Sequence, residues 1–210
     1  MNYPLATACL GLALLSAGCV LPRPPEKRPI NNYLADARDL ASVHRIMVLP
    51  FATSSGVVVD NEDIRDIYVT ELQKLRRFEI VPLPKSAHEV DELYQSMRSG
   101  HLSTDAIIKL CERYRLDGVL VGTVTAWRAY TPPQLGIRTS LVSVHSGSIV
   151  WKVDALYDAN DRSTVNDIRH YHDRVQTQDG NLHGWELNTI APTRFAAYVA
   201  HRLVGTWVEG

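Results

Sequence analysis

The stretch Asp117-Gly118-Val119-Leu120-Val121-Gly122-Thr123-Val124-Thr125-Ala126 decides the fold class. It opens on a turn dipeptide, and residues 119–126 are then apolar and β-branched with little alternation. A strand that is solvated on one face alternates between apolar and polar residues, whereas a strand covered on both faces is apolar nearly throughout. The stretch therefore predicts a central strand of an α/β domain.

The chain before this strand alternates between strand-like and helical patterns. Pro50 ends an apolar run, since proline cannot donate to a ladder, and Asp60 is a suitable cap for a helix. The predicted elements are, in order, a strand at residues 44–51, a helix at 60–76, a strand at 78–83, and helices at 86–98 and 103–114.

The chain after the central strand changes to a hairpin pattern and then to helices. The predicted elements are strands at residues 136–144 and 148–157, a further helical stretch at 164–175, and a closing helix at 186–207. Pro192 fits only the first turn of a helix, so we expect the regular part of the closing helix to begin there. The fold prediction is a single layered α/β domain with a mixed β-sheet flanked by helices, in the order β-α-β-α-α-β-β-β-α.

Charge and motifs narrow the functional classes. The 22 basic and 23 acidic residues give a net charge of −1, which argues against the broad basic face that nucleic-acid binding needs. The sequence has no Gly-x-Ser-x-Gly elbow and no phosphate-binding glycine loop. We therefore predict a protein that is not an enzyme, has no cofactor and does not bind nucleic acid.

The amino terminus has the layout of an export signal. An apolar run at residues 5–15 is followed by Ser16, Ala17 and Gly18, directly before Cys19. The run is shorter than the roughly 20 apolar residues that span a bilayer. We predict a signal peptide at residues 1–18, a lipidated Cys19 that begins a proline-rich tether at residues 19–42, and a periplasmic α/β domain at residues 43–210.

The segment Leu15-Ser16-Ala17-Gly18-Cys19 resembles a lipobox, the recognition sequence of bacterial lipoprotein maturation. It departs from the family pattern at Ser16, where leucine is usual. The resemblance implies that Cys19 carries palmitate and other acyl chains, and that the lipid anchors the chain to a membrane. Val20, in place of the aspartate that retains enteric lipoproteins at the inner membrane, implies the periplasmic face of the outer membrane. The alternative is an ordinary signal peptide with an accidental cysteine.

Four segments resemble a group of envelope lipoproteins: residues 45–51, 78–81, 117–124 and 146–151. The group shares the fold of the amino-terminal domain of the Tol translocation protein TolB. It includes activators of peptidoglycan synthases, the curli-secretion lipoprotein and flagellar outer-membrane lipoproteins. The resemblance implies a non-enzymatic interaction or assembly module in cell-envelope biogenesis, with a periplasmic or envelope protein as partner. A homo-oligomer, such as a ring-forming subunit of a secretion or flagellar complex, is an alternative.

Two clusters are candidates for function. Trp127, Arg128 and Tyr130 precede three turn-forming residues, and aromatic and arginine side chains dominate interface hot spots, so we predict a partner-binding loop there. The alternative is that the aromatic residues belong to the core.

The second cluster contains His170, His172 and Asp173, with His183 further on. These residue types ligate metals, and the rival hypothesis is a metal-dependent or hydrolytic periplasmic enzyme. If the cluster is helical, however, the side chains of residues 170 and 172 point about 200° apart. We therefore predict no metal site.

Overall fold

The predicted central strand lies within a seven-stranded mixed sheet. The structure is a computed structural model that describes residues 30–35, 37–84, 88–98, 103–177, 180 and 182–207. The strands are β1 (Asn31–Leu34), β2 (Arg45–Val48), β3 (Ala52–Thr53), β4 (Glu79–Val81), β5 (Gly118–Arg128), β6 (Gln134–Ser143) and β7 (Ile149–Asp158). Their order across the sheet is β1-β7-β6-β5-β2-β4, and β3 adds to β5.

Helices cover this sheet on both sides. They are α1 (Ala37–Ala41), α2 (Asn61–Lys74), α3 (His88–Arg98), α4 (Thr104–Tyr114), α5 (Arg162–Val175), α6 (Leu187–Ile190) and α7 (Pro192–Gly205). Helices α2, α5 and α7 supply buried residues to one face, and α3 and α4 supply them to the other. The predicted fold class, one mixed sheet flanked by helices, is confirmed.

A parallel half and an antiparallel half of the sheet meet at β5. Strand β2 runs parallel to β4 and β5, whereas β6, β7 and β1 continue from β5 as antiparallel neighbours. Parallel neighbours need a crossover, and α2 and the α3–α4 pair are the two crossovers. The two crossovers pass over opposite faces of the sheet, so β2 and β5 are covered on both faces.

The face under α2, α5 and α7 carries the larger core. Trp151 of β7 is fully buried and stacks on Trp207, with ring centroids 4.5 Å apart. Its Nε1 donates to Thr206 Oγ1 at 3.0 Å. Tyr68 of α2 shares a 2.9 Å hydrogen bond with Thr139 of β6, inside the same core. These buried polar atoms are therefore satisfied, as burial requires.

The opposite face carries a smaller core under α3 and α4. Leu93 and Leu110, one from each helix, are fully buried in one cluster with Met47 and Val119. This cluster covers β2, β4 and β5, and reaches β6 only at Val142 among the described residues. No described element covers the remainder of this face, hereafter the open sheet face, which includes Tyr33, Arg138, Lys152, Asp154 and Leu156.

Two residues fix the position of β5. The Asp117 carboxylate accepts hydrogen bonds from the backbone amides of His44, at 3.1 Å, and Arg45, at 2.9 Å, which joins the start of β5 to β2. Partial burial acts to raise the pKa of Asp117, but these hydrogen bonds outweigh it and hold the pKa below its ordinary value. A Cβ at Gly122 would lie 2.4 Å from the Phe51 ring, so this close approach requires glycine.

The structure corrects the predicted carboxyl end of the tether. Residues 31–34 form β1, in which Leu34 lies opposite Trp151, and the following helix α1 buries Leu40. The first three residues of β1 are exposed, as on an edge strand, so no apolar alternation marks them in the sequence. The folded domain therefore begins before residue 43, the predicted boundary, and includes β1 and α1. Residues 1–29, with Cys19, lie outside the described residues.

The carboxy-terminal helices also differ in detail from the prediction. The stretch at residues 164–175 is a helix, α5, which begins earlier than predicted, at Arg162. The Asp161 side chain caps it by accepting a hydrogen bond from the backbone amide of Ser163. The closing helix is interrupted: a 3₁₀ turn at Gly184–Glu186 and α6 precede α7, which starts at Pro192 as expected. The order β-α-β-α-α-β-β-β-α is otherwise retained, with β1, α1, β3, α5 and α6 as additions to it.

Candidate interaction surface

The three residues predicted to bind a partner lie at the end of the β5–β6 hairpin, but their side chains do not share one face of the sheet. Strand β5 ends at Arg128 and β6 begins at Gln134, so residues 129–133 connect them. Successive side chains on a strand point to opposite faces. Trp127 therefore points toward the larger core, where it packs against the buried cluster, and Arg128 points to the other side. Tyr130 lies beyond the strand, in the connection.

Arg128 has structural partners within the hairpin. Its Nη2 lies 2.8 Å from Asp158 Oδ1, and its Nε donates to the carbonyl oxygen of Pro132 at 2.7 Å. Gln134 Nε2 donates to the other carboxylate oxygen of Asp158 at 3.1 Å. This network ties the connection to the end of β7. The geometry gives Arg128 the role of supporting the loop.

Tyr130 is the exposed aromatic residue of the loop. Its side chain is 75% exposed, and the guanidinium carbon of Arg128 lies 5.9 Å from the centre of its ring. A cation over a ring face stabilises that arrangement by about 0.5–1 kcal/mol at an exposed site. Tyr130 therefore presents a large surface to solvent while Arg128, itself bonded to Asp158, limits the positions that the ring adopts.

Trp127 lines a small groove of about 190 Å³ between the amino-terminal ends of α2 and α7. The groove walls include Asp60 and Ile64 from the start of α2 and Pro192 from the start of α7. Asp60 is occupied as the cap of α2, since its carboxylate accepts hydrogen bonds from the backbone amides of residues 62 and 63. Trp127 thus belongs partly to the core and partly to this groove.

Val58 is a residue of this end that the sequence analysis missed. It is 90% exposed in the β3–α2 connection, and its neighbour Val59 lines the groove beside Trp127. The signal in the sequence is Val57-Val58-Val59, three β-branched residues in a stretch that forms no strand. Val58, Trp127 and Tyr130 are hereafter called the hairpin-end surface.

Two aromatic residues of the neighbouring strand β7 belong to the core. Trp151 and Tyr157 of β7 are both fully buried, and the Tyr157 ring packs edge-on against Tyr198 of α7. The core alternative therefore holds for these two residues. It holds in part for Trp127, which is half-buried.

The histidine cluster lies on α5. His170 and His172 are both in this helix, the arrangement in which their side chains diverge, and His172 Nδ1 lies 3.4 Å from Asp173 Oδ1. His183 is an exposed residue in the turn before the 3₁₀ segment. Across the described ranges, no three His, Cys, Asp or Glu side chains are grouped as metal ligands.

Buried charges lie between α2, α5 and α7, in the helical layer. The Glu71 side chain is 2% exposed, pairs with Lys74, and has an oxygen 3.3 Å from His201 Nδ1. Burial acts to raise the pKa of Glu71, but hydrogen bonds from His201 and Lys74 outweigh it and hold the pKa below its ordinary value. Asp167 likewise accepts from Tyr198 Oη at 2.7 Å and pairs with Arg202. These groups join helices to one another.

Comparisons with known proteins give structural likenesses only. No protein-family model and no curated protein matches the chain. The chain is similar to the PelC dodecamer from Paraburkholderia phytofirmans, with 15% identity and a TM-score of 0.49 over 85% of this chain and 92% of that chain. It is similar to lipoprotein GNA1162 from Neisseria meningitidis, with 18% identity and a TM-score of 0.41 over 66% of this chain and 98% of that chain. It is also similar to the LpoB C-terminal domain from Salmonella enterica, with 14% identity and a TM-score of 0.39 over 55% of this chain and 83% of that domain. The TolB-like assignment stays a prediction.

A search of the described residues for membrane-spanning helices finds no helix with the necessary length and apolar character.

Proposed function

We propose that the chain is a lipid-anchored envelope lipoprotein that acts as a non-enzymatic interaction module in cell-envelope biogenesis. The observation that carries this proposal is the apolar run at residues 5–15 with three small residues directly before Cys19. In this proposal, residues 1–18 are removed and Cys19 carries the acyl chains on the periplasmic face of the outer membrane. Each buried methylene contributes about 0.8 kcal/mol, and two or more chains give lasting attachment.

The segment after Cys19 sets the reach of the domain. Residues 20–29 include Pro22, Pro24, Pro25 and Pro29, and a proline-rich chain rises about 3.1 Å per residue. Ten such residues span about 30 Å. The lipid then determines where the protein is, and the domain contacts a partner within this distance of the membrane.

The hairpin-end surface is the part of the domain that we propose for partner contact. Tyr130 is largely exposed yet supported by Arg128, so binding would immobilise it at a small cost in side-chain entropy. Val58 adds exposed apolar area next to Val59, which lines the groove beside Trp127. Aromatic residues in such positions supply a large share of binding energy at protein interfaces.

Fractionation of cells tests the anchor. A Cys19→Ser chain is expected to leave the membrane fraction, because it has no site for acylation, while a Cys9→Ser chain is expected to remain there. Cys9 is a matched control because it lies within the segment that we propose is removed. Retention of the Cys19→Ser chain in washed membranes would contradict lipid anchoring at this residue.

Crosslinking in cells tests the hairpin-end surface. Tyr130→Ala is expected to weaken partner capture by about thirtyfold, the effect of removing a hot-spot residue worth about 2 kcal/mol. Tyr33→Ala is the control, since Tyr33 is also an exposed tyrosine, at 54%, but lies on the open sheet face. Equal partner capture by the two variants would show that the hairpin-end surface is not the contact site.

A further inference from the structure

Strand β4 lies at one edge of the sheet, and no described strand pairs with its outer side. Glu79 donates its backbone amide to His44 O at 2.8 Å, so its polar groups are directed to β2, and Ile80 and Val81 follow it opposite Ile46 and Met47. In a parallel pair, alternate residues direct their amide and carbonyl groups to the same neighbour. The amide and carbonyl of Ile80 therefore point away from β2. Pro82 follows, and its lack of an N–H group suits an edge.

A groove of about 700 Å³ runs along this edge, between α2 and α3. We call it the edge groove; the lining residues used below are Glu62, Asp66, Val69, Pro82, Asp91 and Tyr94. Val69, Pro82 and the Tyr94 ring give it apolar and aromatic surface. Tyr94 Oη donates to Glu62 Oε1 at 3.0 Å, which links α3 to α2 and holds the ring in place.

The edge groove carries excess negative charge. Among the described residues, three carboxylates line it, from Glu62, Asp66 and Asp91, together with one cation, Arg65. The Arg65 guanidinium is already used, because its Nε donates to Val48 O at 3.0 Å and its Nη1 pairs with Asp66 at 2.8 Å. Charge complementarity therefore favours a basic occupant.

This chain contains a segment with the matching chemistry. Residues 20–29 read Val-Leu-Pro-Arg-Pro-Pro-Glu-Lys-Arg-Pro, with three basic side chains, one acidic side chain and four prolines. Their net charge of +2 complements the net charge of −2 that the described lining residues give the edge groove. Proline-rich segments are already extended in solution, and they bind grooves lined by aromatic residues. We infer that the edge groove binds residues 20–29 of a neighbouring copy of the chain.

The distances favour a neighbouring copy over the same copy. Residues 20–29 join the domain at β1, and β1 and β4 are the opposite edges of the sheet, five strand spacings apart. At about 4.8 Å per spacing this separation is about 24 Å. Ten extended residues span about 31 Å, so only about two would remain to occupy the groove of the same copy. Each copy thus offers one segment and one groove, a head-to-tail contact that builds rows or rings.

Disulfide trapping in membranes tests this inference with the full chain. Two differently tagged copies are produced together, one with Lys27→Cys and one with Asp91→Cys, and the membranes are oxidised. We expect a mixed disulfide dimer. The control pairs Lys27→Cys with Asp154→Cys, on the open sheet face, where we expect no dimer. The native Cys111 is buried and does not interfere.

A charge-reversal arm tests the basis of recognition. Arg23→Glu and Arg28→Glu, added to the Lys27→Cys copy, are expected to lower the dimer yield about fivefold or more, since each lost ion pair is worth up to about 1 kcal/mol. These changes leave every described lining residue of the edge groove unaltered.

Four results would overturn the inference. Two are the absence of the mixed dimer and an equal yield with Asp154→Cys. The third is an internal disulfide in a chain that carries both Lys27→Cys and Asp91→Cys. The fourth is capture of a different protein by Asp91→Cys in place of the Lys27→Cys copy.

Discussion

The two faces of the sheet are covered to different extents. The face under α2, α5 and α7 contains aromatic residues such as Trp151 and Tyr68 and extends over β5, β6 and β7. The face under α3 and α4 is covered over β2, β4 and β5, and the open sheet face accounts for the rest. The comparison indicates that the first face provides most of the stability. The second leaves parts of β6, β7 and β1 exposed, at the side of the sheet away from the edge groove.

The two faces also differ in buried charge. The helical layer on the first face contains Glu71 with His201 and Asp167 with Arg202. Among the described residues, Glu71 and Asp167 are the buried charged residues, and neither belongs to the second face. Removing one partner of a buried ion pair leaves the other charge uncompensated. We therefore expect pH to act on the stability of the domain mainly through the first face.

The largest effect is expected from Trp151→Ala. The change removes the stacking on Trp207 and the hydrogen bond to Thr206, and it opens a cavity in the larger core. The expected loss in the free energy of unfolding is about 3–5 kcal/mol. Denaturant titration measures it, and a loss below about 1 kcal/mol would show that the larger core is not the main source of stability.

Leu110→Ala tests the smaller core. Leu110 is a fully buried residue of α4, so the expected loss in the free energy of unfolding is about 2–4 kcal/mol. Because this core does not reach β7, we also expect hydrogen exchange to accelerate in α3 and α4 and to remain slow in β7. Uniform acceleration across the domain would mean that the two faces unfold as one unit.

Glu71→Gln tests the buried charges. The pKa of Glu71 in the folded state is below its ordinary value, so its contribution is present above the pKa of an unfolded glutamate and is lost as the pH falls through the folded-state pKa. The substitution is expected to cost about 1–3 kcal/mol at pH 7 and to reduce the loss of stability in acid. Thermal unfolding from pH 3 to pH 7 measures both, with the exposed Glu79→Gln as control. An unchanged acid profile would contradict the assignment.

The smallest effect is expected from Leu156→Ser. Leu156 is 45% exposed on the open sheet face, and surface substitutions usually change stability by less than about 0.5 kcal/mol. Its matched control is Val153→Ser on the same strand, since Val153 is fully buried toward the larger core. Similar losses for the two variants would show that the open sheet face is covered.

Local chemistry explains why much of the fold is predictable from the sequence. The apolar run at residues 119–126 marks the strand covered on both faces, and Asp60 marks the start of α2. Pro192 likewise marks the start of α7. Each of these signals acts through neighbours in the sequence, so no knowledge of distant contacts is needed.

The remaining features depend on distant contacts. Strand β1 exists because Asn31–Leu34 pairs with β7, more than one hundred residues later, and its own sequence is mostly polar. Glu71 looks like a solvated helix residue until α7 places His201 beside it. In the candidate surface, the sequence predicted three contact residues, but Arg128 bonds to Asp158, thirty residues away, and Val58 lies in a connection without periodicity.

Mass spectrometry of the mature amino terminus tests the central claim most directly. The chain is purified from membranes and its amino-terminal peptide is measured. Our account predicts that the peptide begins at Cys19 and carries the added mass of acyl chains. An amino terminus at another residue, or an unmodified Cys19, would contradict the proposal that lipid at this cysteine anchors the protein.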